Sequence, residues 1–231
     1  MSEKIKNILA ICIGILPIYV LIIWYRLTYT QDFTLFEMLM YPLLFGGGNI
    51  LLILILNKYL LNKNLGDFNS GKGKWFRDII SGLILTILYF LLMFLERSIL
   101  IPLLPAADPP SQEIIRLMTD LAHNPILLAV WLGPVVWIGV ALFEEISRTF
   151  FLNCLWRLSG HKAWEIISIL IVSFLVGFVH LYQGYFGIIS VSIQGILIGF
   201  YYYQFRRIFP LIISHALYDS AQIILFVLQV S

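Results

Sequence analysis

The sequence predicts an all-α protein that crosses a membrane about seven to eight times. Three observations carry this. The 231 residues are 60% hydrophobic and 12% charged, about half the charge of a soluble domain. The apolar residues fall in long unbroken blocks rather than at amphipathic spacing, and the blocks are long enough for a span of about 20 residues. Aromatic residues gather near the block ends, at Trp24, Tyr25, Trp75, Trp164, Tyr201, Tyr202 and Tyr203, as an interfacial belt requires.

The spans read in order as 8–25, 36–56, 79–95, 126–143 running on toward 155, 164–181, 186–203 and 209–230. The first follows a charged start, but its apolar run is too long for a signal peptide and no small-residue cleavage pattern follows, so it reads as a retained span. Residues 57–74 are polar and Gly-rich and read as a connecting loop. Residues 101–124 carry Pro102, Pro105, Pro109 and Pro110 and are too broken to span, although 111–122 can form a short surface helix. There is no internal repeat, so 1–231 is read as one membrane domain.

Charge then orients the chain. With the N-terminus cytoplasmic, every Lys and Arg except Arg26, Arg97 and Arg116 falls on the inner side, so the expectation is a multi-pass protein of the cell membrane, N-terminus in. A net charge of +2 without a basic patch interleaved with aromatics gives no nucleic-acid partner; membrane lipid is the expected surrounding. Cys12 and Cys154 lie far apart in apolar segments and read as small core hydrophobes.

Glu144 and Glu145 stand inside the apolar block 135–152. Burying an ionised carboxylate unpaired is very costly, and such residues within a membrane face a protein-lined cavity with partners. Arg148 lies one turn on, His180 and His215 lie in later blocks, and Asp219 lies one turn past His215. Glu144 and Arg148 are four apart and can pair on one helix face, whereas Glu145 points about 100° away, so the two glutamates need not share a role. His215 and Asp219 repeat the four-residue spacing, by which a carboxylate fixes an imidazole or both face a water or metal. Asn49, Asn153, Gln194 and Gln222 add polar groups at depth, Gly195 and Gly199 read as close-packing positions, and His123 and His161 read as loop residues.

The order Glu-Glu-x-x-Arg, Gly-x-x-His and His-x-x-x-Asp, carried by FEEISRTFFLNCLWRL, SFLVGFVHL and IQGILIGFYYYQFRRIFPLIISHALYD, resembles the CAAX prenyl endopeptidase and bacteriocin-processing (CPBP or Abi) family of intramembrane proteases. The resemblance spans 134–219 and divides the chain into N-terminal spans and loops (1–125) and a protease-like core (126–231). It implies a peptidase in which a glutamate activates water to attack a peptide carbonyl. The implied catalytic positions are Glu144, Glu145, His180, His215 and Asp219, with Arg148 and Gln194 in support. A divalent ion such as zinc is a candidate cofactor, for which Glu145, His180 and His215 would supply three ligands and leave a fourth position open. The implied substrate is a lipidated, membrane or secreted peptide. Two positions depart from the family pattern: Arg148 comes one residue early, and Val176 stands where a Phe is usual.

Two other functions share these features. A non-catalytic scaffold or bacteriocin-immunity protein would keep the fold without the chemistry. A small proton-coupled carrier would also use intramembrane Glu and His, but the missing two-fold repeat argues against it. One geometric demand is specific: His215 comes only about 9 Å after the start of its span, so the connection before it must dip inward or the helices must tilt to bring it to Glu145.

Overall fold

In a computed structural model the chain is described for residues 1–28, 34–100, 102–103, 112–181 and 184–230. Its helices are α1 (Glu3–Gly14), α2 (Leu16–Thr28), α3 (Leu35–Leu60), α4 (Trp75–Leu100), α5 (Gln112–Ala122), α6 (Pro125–Trp156), α7 (Lys162–Val179), α8 (Gly184–Phe205) and α9 (Phe209–Val230). Among the described residues, seven helical segments are long and apolar enough to cross a membrane, the first being Glu3–Trp24 across the α1–α2 junction. This is an all-α multi-pass membrane protein. Leu51, Ile87, Phe94, Phe174 and Leu228 are exposed, while Asn49, Glu96, Glu145, Arg148, Asn153 and Ser214 are buried. That inversion of the soluble pattern is what a lipid solvent produces.

The first span is not the single helix its apolar run predicts. It breaks at Ile15, between Gly14 and Pro17, and the buried Gly14 carbonyl accepts from Asn49 Nδ2 at 2.9 Å. Asn49 Oδ1 in turn accepts from Ser147 Oγ at 3.1 Å, so one buried amide joins α1, α3 and α6. The polar side chain of Asn49 is therefore a latch that meets an otherwise orphaned backbone group.

Helix α6 bends sharply at Gly133 (φ −90°, ψ −105°), directly before Pro134, which has no amide hydrogen to donate, and runs π-wound from Trp131 to Leu142. Its crossing with α3 is close: a methyl on Gly46 would sit 2.6 Å from the Gly139 carbonyl oxygen, and one on Gly139 would sit 2.8 Å from Pro42. The α7–α8 contact uses the same device, with Gly195 against Ser173 and Gly199 against Ile169, as their spacing predicts.

The 57–74 loop is more structured than its composition predicts. Asn57 to Leu60 complete α3, and Leu65–Asn69 forms a 3-10 turn whose Phe68 is buried against Phe150 at 6.4 Å between ring centroids. Arg157 holds Asp67 at 2.5 Å, Arg207 is paired with Asp78, Gly71 N donates to Arg206 O at 2.9 Å, and Ile208 N donates to Asn69 Oδ1 at 3.2 Å. The loop thus folds inward as a plug over the ends of α6, α8 and α9. In the 101–124 stretch the expected short helix is present as α5, with Leu117 and Leu121 buried. Pro105, Pro109, Pro110 and Ser111 lie outside the described residues.

Candidate active site

The site begins where the widened part of α6 gives way to a regular α-helix at Phe143. Successive helical residues diverge by about 100°, so the adjacent glutamates part company. Glu145 turns into the bundle and is fully buried, while Glu144 keeps 22% of its side-chain surface. Arg148, also buried, donates from Nη1 to Glu145 Oε1. The ion pair therefore joins Arg148 to Glu145 and not to Glu144, the partner its four-residue spacing predicts. A three-residue separation also brings side chains together on a helix, and inward-pointing Glu145 carries the charge that most needs a partner.

His215 enters from α9 and donates from Nδ1 to the same Oε1 at 2.9 Å. Its Nε2 then faces two more carboxylates, Asp219 Oδ2 at 3.5 Å and Glu144 Oε2 at 3.9 Å. Glu145 Oε2 and Arg148 Nε are buried without a hydrogen-bond partner among the described residues. Three carboxylates thus surround the imidazole, and one of them, Glu145, also holds the guanidinium.

His180 caps the end of α7, with its Nδ1 2.9 Å from the Val176 carbonyl oxygen. A carbonyl only accepts, so Nδ1 carries the hydrogen and Nε2 is the basic nitrogen. The ring lines a small cleft together with Glu144, Ser147, Phe143, Val176, Val179, Tyr19 and Ile22. Tyr19 and Ile22 come from α2, outside the motif-bearing half of the chain. Nothing in their local sequence marks them, since each sits in an ordinary apolar run.

Four of the five catalytic candidates, Glu144, Glu145, His215 and Asp219, meet in one ion-pair cluster. His180 joins them through the cleft it shares with Glu144. Gln194 lies in a neighbouring polar group instead: its Nε2 is 3.3 Å from Ser190 Oγ and 3.5 Å from Tyr218 Oη, and Ser190 Oγ donates to Glu96. Glu96, buried in the last turns of α4, escaped the sequence reading because it adjoins Arg97 and looks like a solvated span end. Asn153 serves the inner plug, donating to Tyr202 Oη at 3.0 Å and reaching the Asp67 carbonyl at 3.4 Å.

The metal reading fares differently. Among the described residues, no group of three or more His, Cys, Asp or Glu side chains is arranged to hold an ion. Glu145 is turned from that role by Arg148 and by the Nδ1 hydrogen of His215, so Glu145, His180 and His215 do not form the open three-ligand set their chemistry allows.

Arg206 stacks on Trp156 with its guanidinium 4.0 Å from the ring centroid, which ties the connection before α9 to the inner end of α6. The 65–71 turn holds the 206–208 connection through Gly71 N to Arg206 O and Ile208 N to Asn69 Oδ1, and from it α9 brings His215 to Glu145.

Residues 126–221 match the profile of the family described as Type II CAAX prenyl endopeptidase Rce1-like. That segment is similar to the Rce1-like family. The match takes in all of Glu144, Glu145, Arg148, His180, Gln194, His215 and Asp219, and the family is one of endopeptidases. No curated protein and no solved structure gave a match. The Rce1-like segment supplies every charged member of the cluster, while α2 closes one side of the cleft and Asn49 of α3 accepts from its lining residue Ser147.

Proposed function

We propose that the chain is an intramembrane endopeptidase of the cell membrane, with Glu144 as the base that activates water. The observation that carries this is the division of labour between the adjacent glutamates. Glu144 borders the cleft with His180, while Glu145 is consumed by Arg148 and His215 inside the protein. In the cleft, Glu144 takes a proton from water as the water oxygen bonds to the scissile carbonyl carbon. His180 Nε2 accepts a hydrogen bond from the water's other hydrogen, which stays on the attacking oxygen, and so orients the nucleophile. The carbonyl oxygen gains the negative charge, and protonated His215 faces it from Nε2 with Asp219 beside the ring. Glu144 then returns its proton to the departing amine as the C–N bond breaks. Glu145 and Arg148 act through His215: the Nδ1–H bond fixes ring orientation and leaves Nε2 toward the reaction. The substrate class is a peptide or membrane-protein segment that reaches the cleft from the bilayer.

A quenched-peptide panel in detergent tests this. Glu144→Gln and His180→Ala each lower cleavage by at least about 100-fold, the usual scale for losing a general acid–base group, and both still elute as folded protein. Wild-type-level cleavage by both variants overturns the assignment, whereas no cleavage by the wild type on any peptide favours the non-catalytic scaffold.

A further inference from the structure

Pro17 has no amide hydrogen to give, and after the break at Ile15 the first span continues as α2, with Tyr19 N donating to Ile15 O at 3.2 Å. That new start is tied to the candidate site. The Gly14 carbonyl beside it accepts from Asn49 Nδ2, and Asn49 accepts from Ser147 Oγ in the cleft wall. Tyr19 and Ile22, three apart, share the face of α2 that lines the cleft, whereas Val20 and Leu21 are exposed.

Three of the lining residues carry a side-chain donor: Tyr19, Ser147 and His180. Ser147 spends its hydroxyl hydrogen on Asn49 Oδ1 at 3.1 Å, and His180 gives its Nδ1 hydrogen to the Val176 carbonyl at 2.9 Å. The Tyr19 hydroxyl makes no hydrogen bond among the described residues, although it lies within electrostatic reach of Glu144, Glu145 and Arg148. Ionised Glu144 and His180 Nε2 are acceptors. The cleft wall therefore presents acceptors suited to a water and one uncommitted donor, the phenol. Attack on a peptide carbonyl builds negative charge on its oxygen, and a donor fixed at that position is where an enzyme gains most.

We propose that Tyr19 is a further catalytic residue, whose hydroxyl donates to the carbonyl oxygen of the scissile peptide bond alongside His215. This rests on the protease reading. The phenol keeps its proton throughout. The water oxygen bonds to the carbonyl carbon, the water proton passes to Glu144 and then to the departing amine, and the C–N bond breaks. Tyr19 supplies a hydrogen bond that strengthens as charge collects on the carbonyl oxygen. The Asn49 latch then has a second use, because it fixes the start of α2, and with it the phenol, against the Ser147 wall.

Tyr19→Phe removes the hydroxyl and keeps the ring. Wild type, Tyr19→Phe and Glu144→Gln are compared in detergent on two quenched peptides, identical except that one has sulfur in place of the scissile carbonyl oxygen. Sulfur accepts hydrogen bonds poorly, so only the ordinary peptide draws fully on the phenol. Tyr19→Phe should elute as folded protein and lower kcat on the ordinary peptide by at least about 30-fold, a modest loss for one oxyanion donor. KM should stay within about threefold, since the bond gains its strength in the transition state. On the sulfur peptide the loss should shrink to about fivefold or less. Wild-type kcat in Tyr19→Phe, or an equal loss on both peptides, overturns the proposal; the equal loss is what a purely structural role gives. Cleavage abolished by Glu144→Gln but untouched by Tyr19→Phe defeats the proposal and leaves the protease reading standing. No cleavage by the wild type, or undiminished cleavage by Glu144→Gln, defeats the reading and the proposal together.

Discussion

His215 Nδ1 lies 2.9 Å from Glu145 Oε1, a contact across 70 residues of sequence that ties the last helix to the first motif-bearing one. The same oxygen receives Arg148. One carboxylate oxygen thereby orients an imidazole and neutralises a guanidinium. The neighbouring Glu144 is left at the edge of the cleft.

Arg148 is the partner that makes a buried Glu145 tolerable. Arg148→Met leaves that charge uncompensated and should cost about 3–5 kcal/mol, the usual scale for halving a buried ion pair. Thermal unfolding in detergent measures it. The double variant Glu145→Gln/Arg148→Met should be more stable than Arg148→Met alone, because no isolated charge remains.

If Glu145 acts only through the orientation of His215, their effects on turnover overlap. His215→Asn should lower kcat by about 100-fold or more, and adding Glu145→Gln to it should change kcat little further. Glu145→Gln alone should lower kcat with a small effect on KM. A double-mutant cycle on the quenched-peptide assay reads the overlap, and independent, multiplying losses would contradict it.

Gly177 lets α7 and α8 touch. A methyl there would lie 2.0 Å from Ser192 Oγ and 2.5 Å from the Ile188 carbonyl oxygen. Gly177→Ala should therefore cost about 1–3 kcal/mol, as overpacking usually does. It should also reduce cleavage by displacing His180, three residues on. Adding Ser192→Gly relieves only the side-chain clash, so recovery in thermal unfolding should be partial.

Asn49 satisfies Gly14 and Ser147 at once. Asn49→Leu strands the Gly14 carbonyl in the break of the first span, and the expected loss is about 1–3 kcal/mol. Hydrogen exchange should show the loss as faster opening around residues 11–19, with the α7–α8 pair unaffected.

The sequence alone determined the solvent, the spans and the chemical inventory. Seven apolar blocks near 20 residues can satisfy their backbone in lipid only as helices, and the ionisable residues inside them have no inexpensive place except a shared interior. For that reason Glu144, Glu145, His180, His215 and Asp219 could be named from spacing, and four of them meet directly. The tertiary structure decided who pairs with whom. Helical spacing allows Arg148 to reach either glutamate, and only the packing of α6 against α9 makes Glu145 the buried one. The plug role of Asp67 and Phe68, the latch at Asn49, the burial of Glu96, and the contribution of Tyr19 and Ile22 to the cleft all rest on contacts between distant segments. Local composition reads these residues as loop, packing or span end, because burial and partnership belong to the fold and not to the residue.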